Sequence, residues 1–477
     1  MATIRYKKRG NKWYVYETTY YWDKEAKRGR QTSKYLGNSD SEGGEYCKTG
    51  RKIASESRLE QAILDFGDSF AINETTKNIG LDKIIRDSFV DSYDSIMNLV
   101  CYQITEGSAM NSCEDWYEGN IANKLFKNAK NKSQDISRLI ENLGRQELQQ
   151  KFFKNYIAKF FPAKTGMLID STALPSAINS SLNAFGYSAG GIKENVTCLM
   201  LVDKTSKLPI YFRAIGGDIS DISTLKTTVH EIKQLGLNAD SAILDAGFCS
   251  KENLQFMCEE NLDFVTRLPK SHNIFYDLVD DANLKESIAT SVTYGDRSVF
   301  VSSKEATIYG NKIFVHVILD LSKKSKDINL ILKNKLDDKQ SDLQAADLDR
   351  KLQYSGFFIL LSKSSITKDE ILPTYYTRQA IEQIFGFAKA NNNILPLRVH
   401  SNKAINGYLM LVFLALIVYI SMRQKLQKTV TMDKALMQLR GLKAKIYDNE
   451  IIIQEPSKKI KEVAKLLKII LPTSLGV

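Results

Sequence analysis

Tyr375, Arg378, Glu382 and Lys389 are spaced so that one helix would carry all four on a narrow stripe. At about 100° per residue they fall within an arc of roughly 60°. A phenol, a guanidinium, a carboxylate and an ammonium on one stripe suit a site that holds a metal and a phosphate together. Ile381, Ile384, Phe385, Phe387 and Ala388 mostly fall elsewhere, the way a helix seats itself on a core. Taken alone, the stripe reads as well as a solvated face with an i,i+4 Arg–Glu pair, worth a few tenths of a kcal/mol.

Two apolar runs upstream end in aspartate. Met167-Leu168-Ile169-Asp170-Ser171-Thr172 and Ser241-Ala242-Ile243-Leu244-Asp245-Ala246-Gly247-Phe248 each look like a buried strand that delivers a carboxylate at its C-terminal edge. A single aspartate so placed is most often a turn residue or a helix N-cap. Two of them, followed by a helical Glu382 between cations, form a set. Carboxylates from strand, strand and helix can hold two Mg²⁺ ions about 3.5–4 Å apart. Hard oxygen donors that leave room for water and phosphate oxygens are what Mg²⁺ prefers.

With these residues in view, the chain resembles the DDE transposases of bacterial insertion sequences, in the branch marked by Tyr-x2-Arg-x3-Glu-x6-Lys. Tyr375, Arg378, Glu382 and Lys389 match that spacing in full. The resemblance also covers Asp170-Ser171-Thr172, Gly186-Tyr187-Ser188, the run from Gly217 to Leu225, Asp245-Ala246-Gly247-Phe248, Ser250-x-x-Asn253-Leu254 and Leu395-Pro396-Leu397-Arg398. It extends from about residue 165 to about 425. Tyr376, Gln379 and Asp218 stand where family members often have Arg, Trp and Asn; these departures bear on DNA contacts, not on the carboxylates.

The resemblance implies an α/β fold with a ribonuclease-H-like mixed-sheet catalytic core. Asp170, Asp245 and Glu382 would be the catalytic metal ligands, with Asp170 shared by two Mg²⁺ ions, for which Mn²⁺ would substitute. Tyr375, Arg378 and Lys389 would contact DNA. Gly386, on the same helix face as Glu382, costs up to about 1 kcal/mol against alanine in mid-helix and would leave room for the DNA backbone. The implied activity is binding of an element's terminal inverted repeats, cleavage at its ends and transfer of the 3′ ends to target DNA. Double-stranded DNA is the implied partner, the chain would be at least a homodimer on it, and a bacterial cytoplasmic, nucleoid-associated location follows. A metal-dependent nuclease of the same fold and a non-catalytic DNA-binding relative are the alternatives.

The elements that must position these groups follow from pattern. Residues 1–40 read as a basic, aromatic β-hairpin, with Tyr14, Tyr16, Thr18, Tyr20 and Trp22 alternating along one face. Over residues 1–39 its cations are Arg5, Lys7, Lys8, Arg9, Lys12, Lys24, Lys27, Arg28, Arg30 and Lys34, against Glu17, Asp23 and Glu25. That is most of the chain's net charge of +11, and cations among aromatics suit contact with a DNA backbone. A Gly/Ser-rich linker spans 41–52, and helical spacing dominates 53–161, a domain for DNA binding or dimerisation. Residues 162–270 read as the first part of the core.

From Asp245 to Glu382 is 137 residues, too far for one compact connection. Residues 271–364 therefore read as a β-rich insertion with a Gly310-Asn311 hairpin turn and a charged helical stretch from Lys323 to Leu352. The second part of the core covers 365–425, and 426–477 reads as a helical, basic tail.

A chain of 477 residues with 43% hydrophobic content suits two or three domains with a large core. The start has no apolar signal core. The longest apolar run, Tyr408 to Met422, has 15 residues where a membrane span needs about 20, so it is expected to be a buried helix behind the catalytic sheet rather than a membrane contact. Six cysteines without Cys-x-x-Cys spacing and four scattered histidines argue against a zinc site.

Overall fold

The computed structural model describes residues 2–9, 12–24, 26–46, 60–188, 191–337, 345–390, 397, 399–426, 429–448 and 450–476. The second half of the expected linker, the middle of the Lys323–Leu352 stretch, and Leu395, Pro396 and Arg398 lie outside the described residues. The chain forms two compact units.

The N-terminal unit contains β1 (Ala2–Arg9), β2 (Lys12–Asp23) and β3 (Arg28–Ser39) in one antiparallel sheet. The expected hairpin is there, with longer strands and a third strand before it. Strict alternation puts Tyr14, Tyr16, Thr18, Tyr20 and Trp22 on one face. Cross-strand pairing adds Arg5 and Lys7 to it. Lys7 lies 5.5 Å from the Tyr16 ring centre and Arg5 5.4 Å from that of Tyr20. Tyr35 of β3 packs beside Tyr16 at 5.3 Å. Asp23 holds the turn, accepting from the Ala26 amide at 2.9 Å and pairing with Arg30 at 2.8 Å.

β4 (Ala62–Asp65) leads into seven helices: α1 (Gly67–Asn78), α2 (Leu81–Ser88), α3 (Tyr93–Thr105), α4 (Cys113–Glu118), α5 (Ala122–Leu125), α6 (Ser133–Leu143) and α7 (Gln146–Phe160). Then come β5 (Thr165–Pro175), β6 (Ala184–Ser188), β7 (Gly191–Asp203), β8 (Pro209–Gly216), α8 (Asp221–Gln234), β9 (Ala239–Leu244), α9 (Lys251–Glu259) and β10 (Asp263–Leu268). The segment expected to be inserted holds α10 (Ile274–Ala282), β11 (Ser291–Tyr294), β12 (Arg297–Ile308), β13 (Asn311–Asp320), α11 (Leu321–Asp337), α12 (Ala345–Gln353) and β14 (Phe357–Ser362). α13 (Lys368–Tyr376), α14 (Gln379–Ala390) and α15 (Asn402–Leu426) follow. The last residues alternate α16 (Met432–Arg440), β15 (Lys443–Ile446), β16 (Glu450–Ile453), α17 (Lys458–Leu467) and β17 (Ser474–Gly476), so the tail is not wholly helical as expected.

Ten strands join one mixed sheet, in the order β11-β12-β13-β14-β10-β9-β5-β7-β6, with β8 also paired to β7. β5, β9 and β10 are parallel neighbours; the other pairings are antiparallel. β5 is buried from both sides, so Met167, Leu168 and Ile169 are fully covered and the run is continuously apolar rather than alternating. The β-rich segment is not a separate layer. β13 pairs with β14 and β14 with β10, which carries the core sheet straight through it.

α15 is long and apolar enough to cross a membrane, yet 89% of its most apolar window is buried inside the fold. A helix apolar all round belongs in the middle of a core. It packs on α3, α6, β8 and α17, and Phe413 sits among Phe152, Phe153, Tyr156 and Phe212. Gly144 and Gly407 let α6 and α15 touch backbone to backbone. A Cβ on Gly407 would run into the Ile140 carbonyl, and one on Gly144 into that of Lys403.

Candidate active site

The parallel pairing of β5 with β9 ends at Ile169 opposite Leu244. The next residue on each strand is an aspartate, so register alone brings Asp170 and Asp245 side by side. Asp170 is not at a strand end as expected. β5 runs on to Pro175 because Ser171 to Pro175 keep pairing with β7 on its other side. Asp245 leaves β9 and enters a short 3-10 turn, Ala246–Phe248.

The signature residues do not lie on one helix. α13 ends at Tyr376 and α14 begins at Gln379. Between them the hydrogen bonds tighten to i→i+3: Arg378 N donates to Tyr375 O at 3.3 Å and Ala380 N to Thr377 O at 3.1 Å. Arg378 thus sits in the bend, and its guanidinium reaches all three carboxylates. Nη1 is 3.2 Å from Asp170 Oδ2; Nη2 is 3.3 Å from Asp245 Oδ1 and 3.1 Å from Glu382 Oε1. The Tyr375 hydroxyl donates to Asp245 Oδ1 at 3.2 Å. The structure therefore brings together Asp170, Asp245, Glu382, Arg378 and Tyr375.

Lys389 is not among them. Its half-buried ammonium shares an apolar pocket with Thr172, Leu174, Cys198, Phe385 and Leu409. Burial lowers its pKa, and burial pushes the Cys198 thiol up to about 12. The bend at Thr377–Arg378 breaks the single helix, but it is distance along the axis that removes Lys389: it shares a face of α14 with Glu382, seven residues or about 10 Å further on.

Exposure rises across the set. The side chains of Asp170 and Arg378 are 15% and 14% exposed, that of Asp245 38% and that of Glu382 53%. Burial raises the Asp170 carboxyl to about 6, against the pull of Arg378 and the Ser171 amide. The Arg378 pKa is also raised, since three carboxylates together outweigh its burial. The two shifts agree: Arg378 gains from three anions, while Asp170 shares one cation with two repelling neighbours.

Sequence reasoning missed Asp221 as a neighbour of this site. It opens α8, hydrogen-bonds with Ser171 and faces Gly247, and burial raises its pKa in the company of Asp245. An aspartate in a first helical turn is too common a signal to single out.

Beside Arg378 and Glu382 opens a cleft of about 450 Å³ lined by the cations Arg267, Arg297, Lys323, Lys326 and Arg378 and by Asp320 and Asp327. Asp320 pairs with Arg297 and Asp327 with Lys323, leaving a net positive wall. Arg297 covers Tyr376, whose ring stacks on Tyr294 at 5.1 Å. This wall suits an anionic ligand beside the carboxylates.

Among the described residues no three acidic, histidine or cysteine side chains are gathered closely enough to hold a metal ion as they stand. The donor set still fits one chemically. Three carboxylates gather on a single positive group, and burial raises the pKa of the most buried of them even beside that cation.

Residues 162–418 match the Transposase DDE domain family, over half of the chain, and the protein belongs to that family. It carries a transposase DDE domain, in a family whose members are generally divalent-metal dependent. A solved structure of piggyBac transposase, in a synaptic complex with hairpin DNA, is similar at 12% identity with a TM-score of 0.41. That similarity covers 84% of this chain and 76% of the other. No curated protein matches.

Proposed function

We propose that the protein is the transposase of a bacterial insertion sequence. It binds the terminal inverted repeats, cleaves at the element ends and joins the 3′ ends to target DNA. The observation that carries this reading is the convergence of Asp170, Asp245 and Glu382 on Arg378. Three elements far apart in sequence deliver carboxylates to one point next to a cationic cleft. The antiparallel β5, β7 and β8, followed by a parallel β9, support a ribonuclease-H-like core.

Asp170, Asp245 and Glu382 would hold two Mg²⁺ ions, or Mn²⁺ in their place. When bound, these would supply an activated nucleophile and charge stabilisation at the phosphorus in an in-line displacement. The chain's own residues do the rest. Arg378 and the cations of the adjacent cleft hold phosphate oxygens near the reacting bond, and a guanidinium offers a planar fork for them. Tyr375 fixes the Asp245 carboxylate by its hydrogen bond. Arg297, Tyr294 and Tyr376 form a rigid stacked wall along the DNA path. The basic face of β1–β3 contacts backbone phosphates. Both element ends must be held at once, which calls for a homodimer on DNA, in the bacterial cytoplasm at the nucleoid.

The test is strand transfer. Labelled duplex ends carrying the gene's own flanking repeat are incubated with a supercoiled plasmid, the protein and Mg²⁺. Labelled 3′ ends joined to plasmid support the reading. Cleavage of any duplex without joining would make the protein a nuclease, and binding without cleavage in Mg²⁺ or Mn²⁺ would remove the enzyme assignment.

A further inference from the structure

A large cleft in the helical part of the fold lies away from the carboxylates. Its volume is about 930 Å³, and it opens between the C-terminal end of α15, α16 and α17. Five ammonium groups line it: Lys425, Lys434, Lys459, Lys465 and Lys468. Glu462 is the one acid on its wall among the described residues. None of the five lysines forms an ion pair with a described acid; Lys425 donates to the Leu467 carbonyl at 3.3 Å. Burial and Lys468 lower the Lys425 pKa.

Such a gathering is self-repelling. Lysines on a plain helical surface are normally interspersed with acids, and an excess of one sign in a concave site raises the local concentration of the opposite ion. The sequence contributes in an orderly way: the stripe of Ile460, Val463 and Leu467 seats α17 on the core, which turns Lys459 and Lys465 outward. Lys468, in a left-handed conformation, ends the helix at the cleft.

The kind of anion follows from what is missing and from where the cleft lies. No aromatic side chain lines it among the described residues, so nothing there stacks a base. Lysine is a compact charge without the guanidinium fork, suited to backbone phosphates rather than to reading a sequence. The cleft also belongs to the helix that braces the catalytic one. Arg423, beside it on α15, donates to Gln383 at 3.0 Å, and Gln383 adjoins Glu382.

We infer that this cleft is a second DNA-binding site that holds the phosphate backbone of a duplex without regard to sequence. The inference rests on the transposase reading for its choice of DNA. A duplex held here would be one the enzyme need not recognise, which is the requirement on target DNA.

The experiment is salt-dependent binding of the full chain to a duplex of unrelated sequence. It compares wild type with Lys434→Gln/Lys459→Gln/Lys465→Gln. All three residues are exposed, so the fold is expected to survive. A control variant, Lys164→Gln/Lys226→Gln/Lys285→Gln, removes the same charge from three exposed lysines that line neither cleft. The cleft variant is expected to bind at least about tenfold more weakly, with its log–log salt slope reduced by about 0.9 for each phosphate it no longer neutralises. The control should keep the wild-type slope. Equal slopes in all three proteins would overturn the inference. So would a cleft variant that loses binding of inorganic tripolyphosphate but keeps the duplex, since the site would then serve a free polyphosphate. Failure of the transposase reading shows elsewhere, as absence of repeat-specific nicking by wild type, which this slope does not measure.

Discussion

Asp170 and Asp245 stand one residue beyond the last parallel pair of their strands, Ile169 opposite Leu244, and a single guanidinium bridges them. Arg378 thereby occupies the carboxylates that a divalent cation would use. Replacing it should free them. Arg378→Gln is expected to bind Mn²⁺ about tenfold more tightly in the DNA-free protein, equivalent to ~1.4 kcal/mol. Its cleavage of DNA should fall nonetheless, because the phosphate fork is gone. Mn²⁺ titration followed by electron paramagnetic resonance reads the first effect, and an unchanged or weaker affinity would contradict it.

Asp170 gives a pH-dependent stability. Its carboxyl is raised from 3.8 to about 6, so the fold holds that proton more tightly than the unfolded chain does. The resulting stabilisation is complete below pH 3.8 and is lost as pH rises through about 6. Above that, ionised Asp170 costs the metal-free fold roughly 2–3 kcal/mol. Asp170→Asn should be more stable than wild type by up to this amount in urea unfolding with a chelator at about pH 8. Near pH 4 the advantage should be gone. A variant no more stable at the higher pH would show that Arg378 compensates the charge in full.

Gly386 follows Glu382 by one helical turn, and a Cβ there would meet no neighbour within 4 Å. Gly386→Ala should therefore stabilise the protein by up to about 1 kcal/mol through helix propensity. Activity on DNA should fall if the backbone of the substrate needs that space. Thermal unfolding and cleavage measured on the same preparation separate the two effects. A stabilised variant with full activity would remove the close-approach role.

Lys389 and Arg378 were expected to act alike, and the structure separates them. Lys389→Met should fit the apolar pocket beside Cys198 and cost at most a few-fold in cleavage. Arg378→Gln should cost more than the roughly 10–100-fold typical of losing a partner that orients a metal ligand. Equal losses in single-turnover cleavage would place the Lys389 ammonium on the substrate.

Much of the site was legible because two of its ligands end apolar runs. Buried parallel strands need continuous hydrophobicity, and the aspartates that follow Ile169 and Leu244 break it visibly. The bend at Thr377–Arg378 was not legible, since the residues on both sides keep helical composition and only the hydrogen bonding changes. The β12–β13 hairpin was readable from Gly310-Asn311, although the turn itself falls one residue earlier, at Tyr309-Gly310, because Asn311 already pairs with Ile308. Its union with β14 and β10 was not, because a local turn signal carries no information about a distant strand. Asp221 escaped for the same reason: its closeness to Ser171 and Asp245 is made by the fold and not by spacing.

The most direct test of the central claim is Mg²⁺-dependent nicking of a duplex bearing the gene's flanking repeat, comparing wild type with Glu382→Ala. Glu382 is the most exposed of the three carboxylates, so the variant should fold as wild type does. Repeat-specific nicking by wild type that disappears in Glu382→Ala, with repeat binding retained, is the predicted result. Nicking that survives in Glu382→Ala would contradict the account, because the carboxylates gathered on Arg378 would then not be the catalytic set.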